Sequence, residues 1–112
     1  MTWADVAALG ERLPGVVPST SYGTAALKVA GKVIARLTED GETIVLRAPL
    51  VTRDHLLATA PDAYFITDHY RDYPLVLLRL ANADRAQVTE LLESAWRALA
   101  PKRLVAEHDT TA

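Results

Sequence analysis

The densest run of chemically capable side chains in this 112-residue chain is Asp68-His69-Tyr70-Arg71-Asp72-Tyr73-Pro74. It sets an imidazole, a guanidinium, two carboxylates and two phenols within seven residues. A turn between strands needs polar residues, but not this many hydrogen-bonding aromatics. The run therefore reads either as a ligand-contacting loop or as a self-satisfied one in which Arg71 pairs with Asp68 or Asp72. Other chemistry is thin. His55, His69 and His108 fall on a helix, in the loop and in a tail, and His69-x-x-Asp72 is short of the three or four ligands a metal site needs. Neither a metal nor any other cofactor is expected. Ser21, His69 and Asp72 can be drawn as a triad, yet Ser21 lacks the strand-turn-helix context of an activated nucleophile. The glycines at 10, 15, 23, 31 and 41 are explained by turns, helix ends or a tolerated helix position rather than by a phosphate loop. A binding protein without a catalytic constellation is the expectation.

A second cluster of charge must be positioned by a sheet. Gly23 to Ala48 reads as three consecutive antiparallel strands. A type I′ turn at Asp40-Gly41 pairs Leu37 with Ile44, Ala35 with Leu46 and Val33 with Ala48. A three-residue loop around Gly31 pairs Val29 with Val33 and Leu27 with Ala35. One face then carries Ala25, Leu27, Val29, Val33, Ala35, Leu37, Ile44, Leu46 and Ala48. The other carries Lys28, Lys32, Ile34, Arg36, Thr38, Thr43, Val45 and Arg47, with four cations and no carboxylate. Such a face is either an ordinary solvated sheet surface or one that binds an anion.

The remaining elements follow in order. Thr2 and Asp5 form a capping box before an apolar-periodic helix that Pro14-Gly15 stops. Residues 14–24 read as an irregular connection, with Tyr22 as a plug over the sheet edge or as one wall of a cleft. Thr52 can cap a short helix through Ala60, with Leu56 and Leu57 facing inward. Ala63 to Thr67 and Leu75 to Leu80 read as two further strands. Asn82 or Asp84 caps the last helix, whose stripe is Val88, Leu91, Leu92, Ala95 and Leu99, with Trp96 as core beside it. Pro101 ends it, Lys102-Arg103 follow, and 106–112 reads as a disordered tail. The fold class is α+β: two layers, an antiparallel five-stranded sheet in the order α-β-β-β-α-β-β-α, and helices on one face of a single domain over 1–105.

Composition bounds the function. Hydrophobic residues make up 50% and charged ones 23%, ordinary for a globular chain. The absence of cysteine excludes disulfides, thiolate catalysis and zinc-finger chemistry. The N-terminus has no basic region of a secretory signal, and no run approaches the roughly 18 apolar residues of a membrane span. A cytoplasmic protein with no membrane partner is expected, as a monomer or at most a weak dimer. Net charge is −2, so affinity for a phosphate backbone would have to come from local clustering.

Motifs spread along nearly the whole chain resemble the MmcQ/YjbR-like family. They are Trp3-x-Asp5 with Leu13-Pro14-Gly15, then Ser21-Tyr22-Gly23, then Lys28-x-x-Gly31-Lys32-x-x-Ala35-Arg36-Leu37. Thr67-x-His69-Tyr70-x-x-Tyr73-Pro74 and Trp96-x-x-x-x-Pro101-Lys102-Arg103 complete the set. The resemblance implies a small cytoplasmic α+β domain with a frataxin-like (CyaY-like) arrangement. Members are commonly labelled DNA-binding, and the resemblance implies no established enzymatic activity. Iron binding does not carry over, because the first helix offers only Asp5 and Glu11. Two functional expectations result. One is a nucleic-acid-binding module using Lys28, Lys32, Arg36 and Arg47, with Tyr70, Arg71 and Tyr73 from the loop and Lys102-Arg103 from beyond the last helix. The alternative is a pocket for a small anionic ligand or a partner protein, formed by Tyr22, Arg36, His69 and Tyr70 as the 68–74 loop closes. Shape separates them: convergence on a concavity favours a small ligand, and cations spread over a flat face favour a polymer.

Overall fold

In the computed structural model, which describes residues 1–111, the chain opens as its sequence dictates. Thr2 Oγ1 accepts from the Asp5 amide and Asp5 accepts from the Thr2 amide, closing the capping box of helix α1 (Trp3–Gly10). Strands β1 (Val16–Ser21), β2 (Thr24–Val29), β3 (Lys32–Leu37) and β4 (Thr43–Arg47) follow as a meander. Helix α2 (Leu50–Thr59), the short strand β5 (Tyr64–Phe65) and strand β6 (Leu75–Arg79) come next, and helices α3 (Arg85–Leu99) and α4 (Lys102–Thr111) close the chain. No helix among the described residues is long and apolar enough to cross a membrane.

The class is α+β with one antiparallel sheet, but that sheet has six strands in the order β1-β2-β3-β4-β6-β5 rather than five. The extra strand lies in the stretch that reads as irregular. Tyr22 and Gly23, with φ of 53° and 79°, make a two-residue turn, and β1 pairs with β2 from Ser21↔Thr24 to Val16↔Val29. As an edge strand it tolerates Pro18 and leaves Val17 exposed, so it lacks the apolar alternation that identifies a strand.

Register is confirmed at Leu37↔Ile44, Ala35↔Leu46 and Leu27↔Ala35. It departs from expectation at the Gly31 turn. Ala30 (φ 51°) and Gly31 (φ 78°) form another two-residue turn, so Val29 faces Lys32 and Lys28 faces Val33. A bulge in β3 restores the pairing before Ala35, and Val33 does not pair with Ala48. The Asp40 turn also differs. Asp40 is not left-handed; its Oδ1 accepts from Thr38 Oγ1 (2.6 Å) and from the Glu42 and Thr43 amides, closing a longer loop with the expected register. These bonds, Thr38 foremost, hold the Asp40 carboxyl below the usual carboxylate range.

The inner face of the sheet packs under the helices around Leu27, Ala35, Ile44, Leu46, Val76 and Leu78, with Val6 from α1, Leu56 from α2 and Val88, Leu92 and Trp96 from α3. Trp96 is wholly buried and its indole N–H donates to Pro14 O at 2.8 Å, which confirms its place in the core. Helix α2 starts at Leu50 behind Pro49, with no side-chain cap, so Thr52 lies inside it. Asp84 caps α3. Residues 106–111 continue α4, where a disordered tail is expected. The Arg97 guanidinium grips Asp109 (2.7 Å), the His108 ring stands edge-on to Trp96 at 5.0 Å, and Leu104 packs over Gly15. Tertiary contacts therefore order a polar helix whose sequence alone is too weak to show itself.

Two substitutions test this packing. A Cβ on Gly10 would lie 2.5 Å from Leu27 Cδ1, and Leu27 is fully buried. Gly10→Ala, which gains helix propensity elsewhere, should here cost about 1–3 kcal/mol in urea unfolding. The Tyr64 hydroxyl, on a residue only 1% exposed, finds no hydrogen-bond partner among the described residues. Burial, with the Asp84 charge, pushes its pKa up from 10.0 to about 12. The neutral phenol is thus favoured in the fold, and its contribution is complete below pH 10 and lost as pH rises toward 12. Tyr64→Phe should be neutral or stabilising by up to about 1 kcal/mol at pH 7, and should flatten the alkaline fall in stability followed by circular dichroism.

Candidate anion pocket on the open sheet face

Helices cover one face of the sheet, and the other is left to side chains from β3, β4 and the segments that flank them. Arg36 pairs with Val45, and Arg47 lies two residues on, opposite Leu75 of β6. Sheet geometry puts such diagonal neighbours roughly 7–8 Å apart on the same surface. At the bulge in β3 both Val33 and Ile34 reach this cavity, Ile34 also belonging to the buried core, and with Val45 and Leu75 they form an apolar floor. Over that floor is a cavity of about 770 Å³. Its walls are Ser21 and Tyr22 from the β1–β2 turn, Arg36 and Arg47 from the sheet, Glu39 from the β3–β4 loop, and His69, Tyr70, Tyr73 and Pro74 from the 68–74 loop.

Arg36 ties the two walls together. One guanidinium nitrogen donates to the Tyr70 hydroxyl at 2.9 Å and another reaches Thr24 Oγ1 at 3.5 Å. Its central carbon lies 5.3 Å from the Tyr22 ring centroid, within cation–π range. The guanidinium of Arg47, half-buried at the end of β4, makes no hydrogen bond or ion pair among the described residues. The His69 ring stands edge-on to Tyr70 at 4.7 Å and tilts toward Tyr73 at 6.4 Å, so the loop presents a continuous aromatic wall.

The loop takes its shape from a residue that the sequence reading passes over. Arg53 of α2 is buried (8% exposed) and its guanidinium donates to Arg71 O at 2.8 Å and Tyr73 O at 3.2 Å, with Asp54 alongside at 3.2 Å. The signal available was weak: a cation next to inward-facing positions of a short amphipathic helix. A single turn of 3-10 helix over Asp68–Tyr70 and the bond from Ala48 N to Pro74 O fix the loop's two ends.

The sequence-derived candidates are therefore divided. Tyr22, Arg36, Arg47, His69, Tyr70 and Tyr73 converge on the cavity. Arg71 does not; it is exposed and paired with Asp68, as the self-satisfied reading of the loop anticipates. Lys28 stands opposite Val17 and Val33 on the same face as Arg36, but it does not line the cavity. Lys32 sits at the hairpin tip opposite inward-facing Val29, so it does not share a face with Arg36 and Arg47. Lys102 and Arg103 begin α4 and do not line the cavity. Ser21 and His69 both reach the cavity, but no hydrogen bond joins them and Asp72 is not in the lining, so no activated nucleophile is assembled among the described residues.

The family model YjbR matches residues 11–98, which span the sheet, the loop and most of α3. The chain belongs to the YjbR family. It is 46% identical over 50 residues to uncharacterised proteins of Mycobacterium tuberculosis (Rv2570) and Mycobacterium bovis (Mb2600). That match takes in 45% of this chain and 39% of each relative's length, so the chain aligns with well under half of these proteins. In three dimensions the YjbR-family chain is similar to Deinococcus radiodurans protein DR2400, a DUF419 domain, with a TM-score of 0.71. At 18% identity, covering 85% of this chain and 75% of that one, this likeness is one of fold.

Loop geometry and loop chemistry can be tested apart. Arg53→Ala should expose residues 68–74 to faster hydrogen exchange and cost about 1.5–3 kcal/mol, the range for hydrogen bonds to a charged group. His69→Ala with Arg71→Ala should stay within about 0.5 kcal/mol of wild type.

Proposed function

We propose that this YjbR-family domain binds a small anionic ligand in the open-face pocket. The observation that carries the reading is that Arg36 and Arg47 line the cavity with no carboxylate partner among the described residues. Arg53, Arg71, Arg85 and Arg97 each have one, and Arg12, Arg79 and Arg103, which lack one among the described residues, lie outside the lining. Two uncompensated guanidiniums in a partly desolvated concavity favour an oxyanion, which accepts their paired N–H groups in fork geometry. Tyr70 and Thr24 orient Arg36 through neutral oxygens and leave its charge in place. The apolar floor adds affinity for the uncharged part of the ligand.

The DNA-binding label implied by the family resemblance is the second reading. It calls for cations aligned along one exposed surface, and the register that separates Lys32 from Arg36 and Arg47 gives it less support than the pocket receives.

A thermal-shift screen of anionic metabolites, followed by calorimetry, tests the proposal beside a DNA duplex titration. A pocket ligand at 100 times its Kd should add about 2.7 kcal/mol of stability. Arg36→Gln and Arg47→Gln should each weaken it at least about tenfold, in line with loss of a charge-assisted pair. Duplex binding with a log–log salt slope of roughly −4 to −5, indifferent to both substitutions, would favour the polymer instead.

A further inference from the structure

We infer that the ligand is a planar aromatic oxyanion, and that Tyr22 is the side chain that selects its ring; this rests on the anion-pocket reading above. The fold has two tight X-Gly turns in which residue X is left-handed, and they form a natural comparison. At the β2–β3 turn X is Ala30, so the geometry needs no large side chain. At the β1–β2 turn X is Tyr22, a bulky residue in a conformation that favours Gly, Asn or Asp. Its ring contributes nothing to the core, being 86% exposed. Neither turn geometry nor burial accounts for a tyrosine here. What the ring does touch is the pocket: it lines the cavity and lies over the Arg36 guanidinium.

The opposite wall is also aromatic, formed by His69, Tyr70 and Tyr73, with Tyr73 54% exposed. Arg36 bridges the two walls, against the Tyr22 ring on one side and bonded to the Tyr70 hydroxyl on the other. An oxyanion seated on Arg36 and Arg47 therefore places its attached group among aromatic side chains from both walls, over an apolar floor. A flat aromatic ring fills that slot by stacking, whereas a saturated ring gains only apolar contact. A phosphate or a carboxylate would satisfy the guanidiniums equally, so the anion class is left as oxyanion.

The test is calorimetric titration of the full chain with matched probe pairs: phenyl phosphate against cyclohexyl phosphate, and benzoate against cyclohexanecarboxylate. Inorganic phosphate serves as the anion-only control. Wild type and Tyr22→Phe should bind the aromatic member of at least one pair about fivefold or more tightly than its saturated analogue. Tyr22→Asn should reduce that preference to within about twofold while its Tm stays at or above that of wild type, since Asn suits the left-handed turn. Equal affinities within both pairs in wild type, or a preference that survives in Tyr22→Asn, would overturn the inference. The anion reading would then still stand if Arg36→Gln weakens both members of a pair. No binding of any probe up to about 10 mM would overturn both together. The phosphate and carboxylate arms identify which oxyanion the site prefers.

Discussion

A buried guanidinium controls the geometry of the open face. Arg53 sits in a short helix, and its charge is satisfied by the adjacent Asp54 and by two backbone carbonyls of a loop that follows 18 and 20 residues later. Removing such a charge from water is tolerated only where geometry and hydrogen bonds compensate. The loop must therefore adopt the one course that presents Arg71 O and Tyr73 O to α2. That course aims His69, Tyr70 and Tyr73 over the sheet.

The sheet answers from below through a register irregularity. A uniform hairpin would alternate Val33 and Ile34 between faces, whereas the bulge lets both reach the pocket lining while Ile34 and Ala35 stay in the core. Core and pocket floor thus come from adjacent residues of one strand. The same irregularity removes Lys32 from the cation set; of the three that share the open face, Arg36 and Arg47 line the concavity and Lys28 lies outside its lining.

Stability and candidate function rest on different parts of the molecule. The core lies between the inner sheet face and the helices, closed by Gly10 against Leu27 and by α4 over Gly15. The pocket lies on the far face and draws on turn and loop side chains with high exposure. Tyr22 is the extreme case, a residue in a conformation costing about 1–3 kcal/mol for a non-glycine side chain that returns nothing to the core.

The sequence by itself determined whatever depends on local periodicity and chemistry. The capping box at Thr2, the β3–β4 register around Leu37↔Ile44, the stripe of α3 and the burial of Trp96 were legible because each is set by residues a few positions apart. Six of the pocket residues were also legible as types worth watching, since an aromatic-rich turn and cations on a strand are unusual in themselves. Strand β1, the β3 bulge, helix α4 and Arg53 were not. An edge strand carrying a proline has no alternation to read, and a bulge is a compromise between a two-residue turn and a core pattern further along. A polar helix is ordered by partners elsewhere in the chain, as Arg97 orders Asp109. Arg53 meets its carbonyls only after the chain has doubled back. Tertiary structure decided these features because their stabilising contacts are long-range, and a local pattern holds no information about a partner that folding alone brings near.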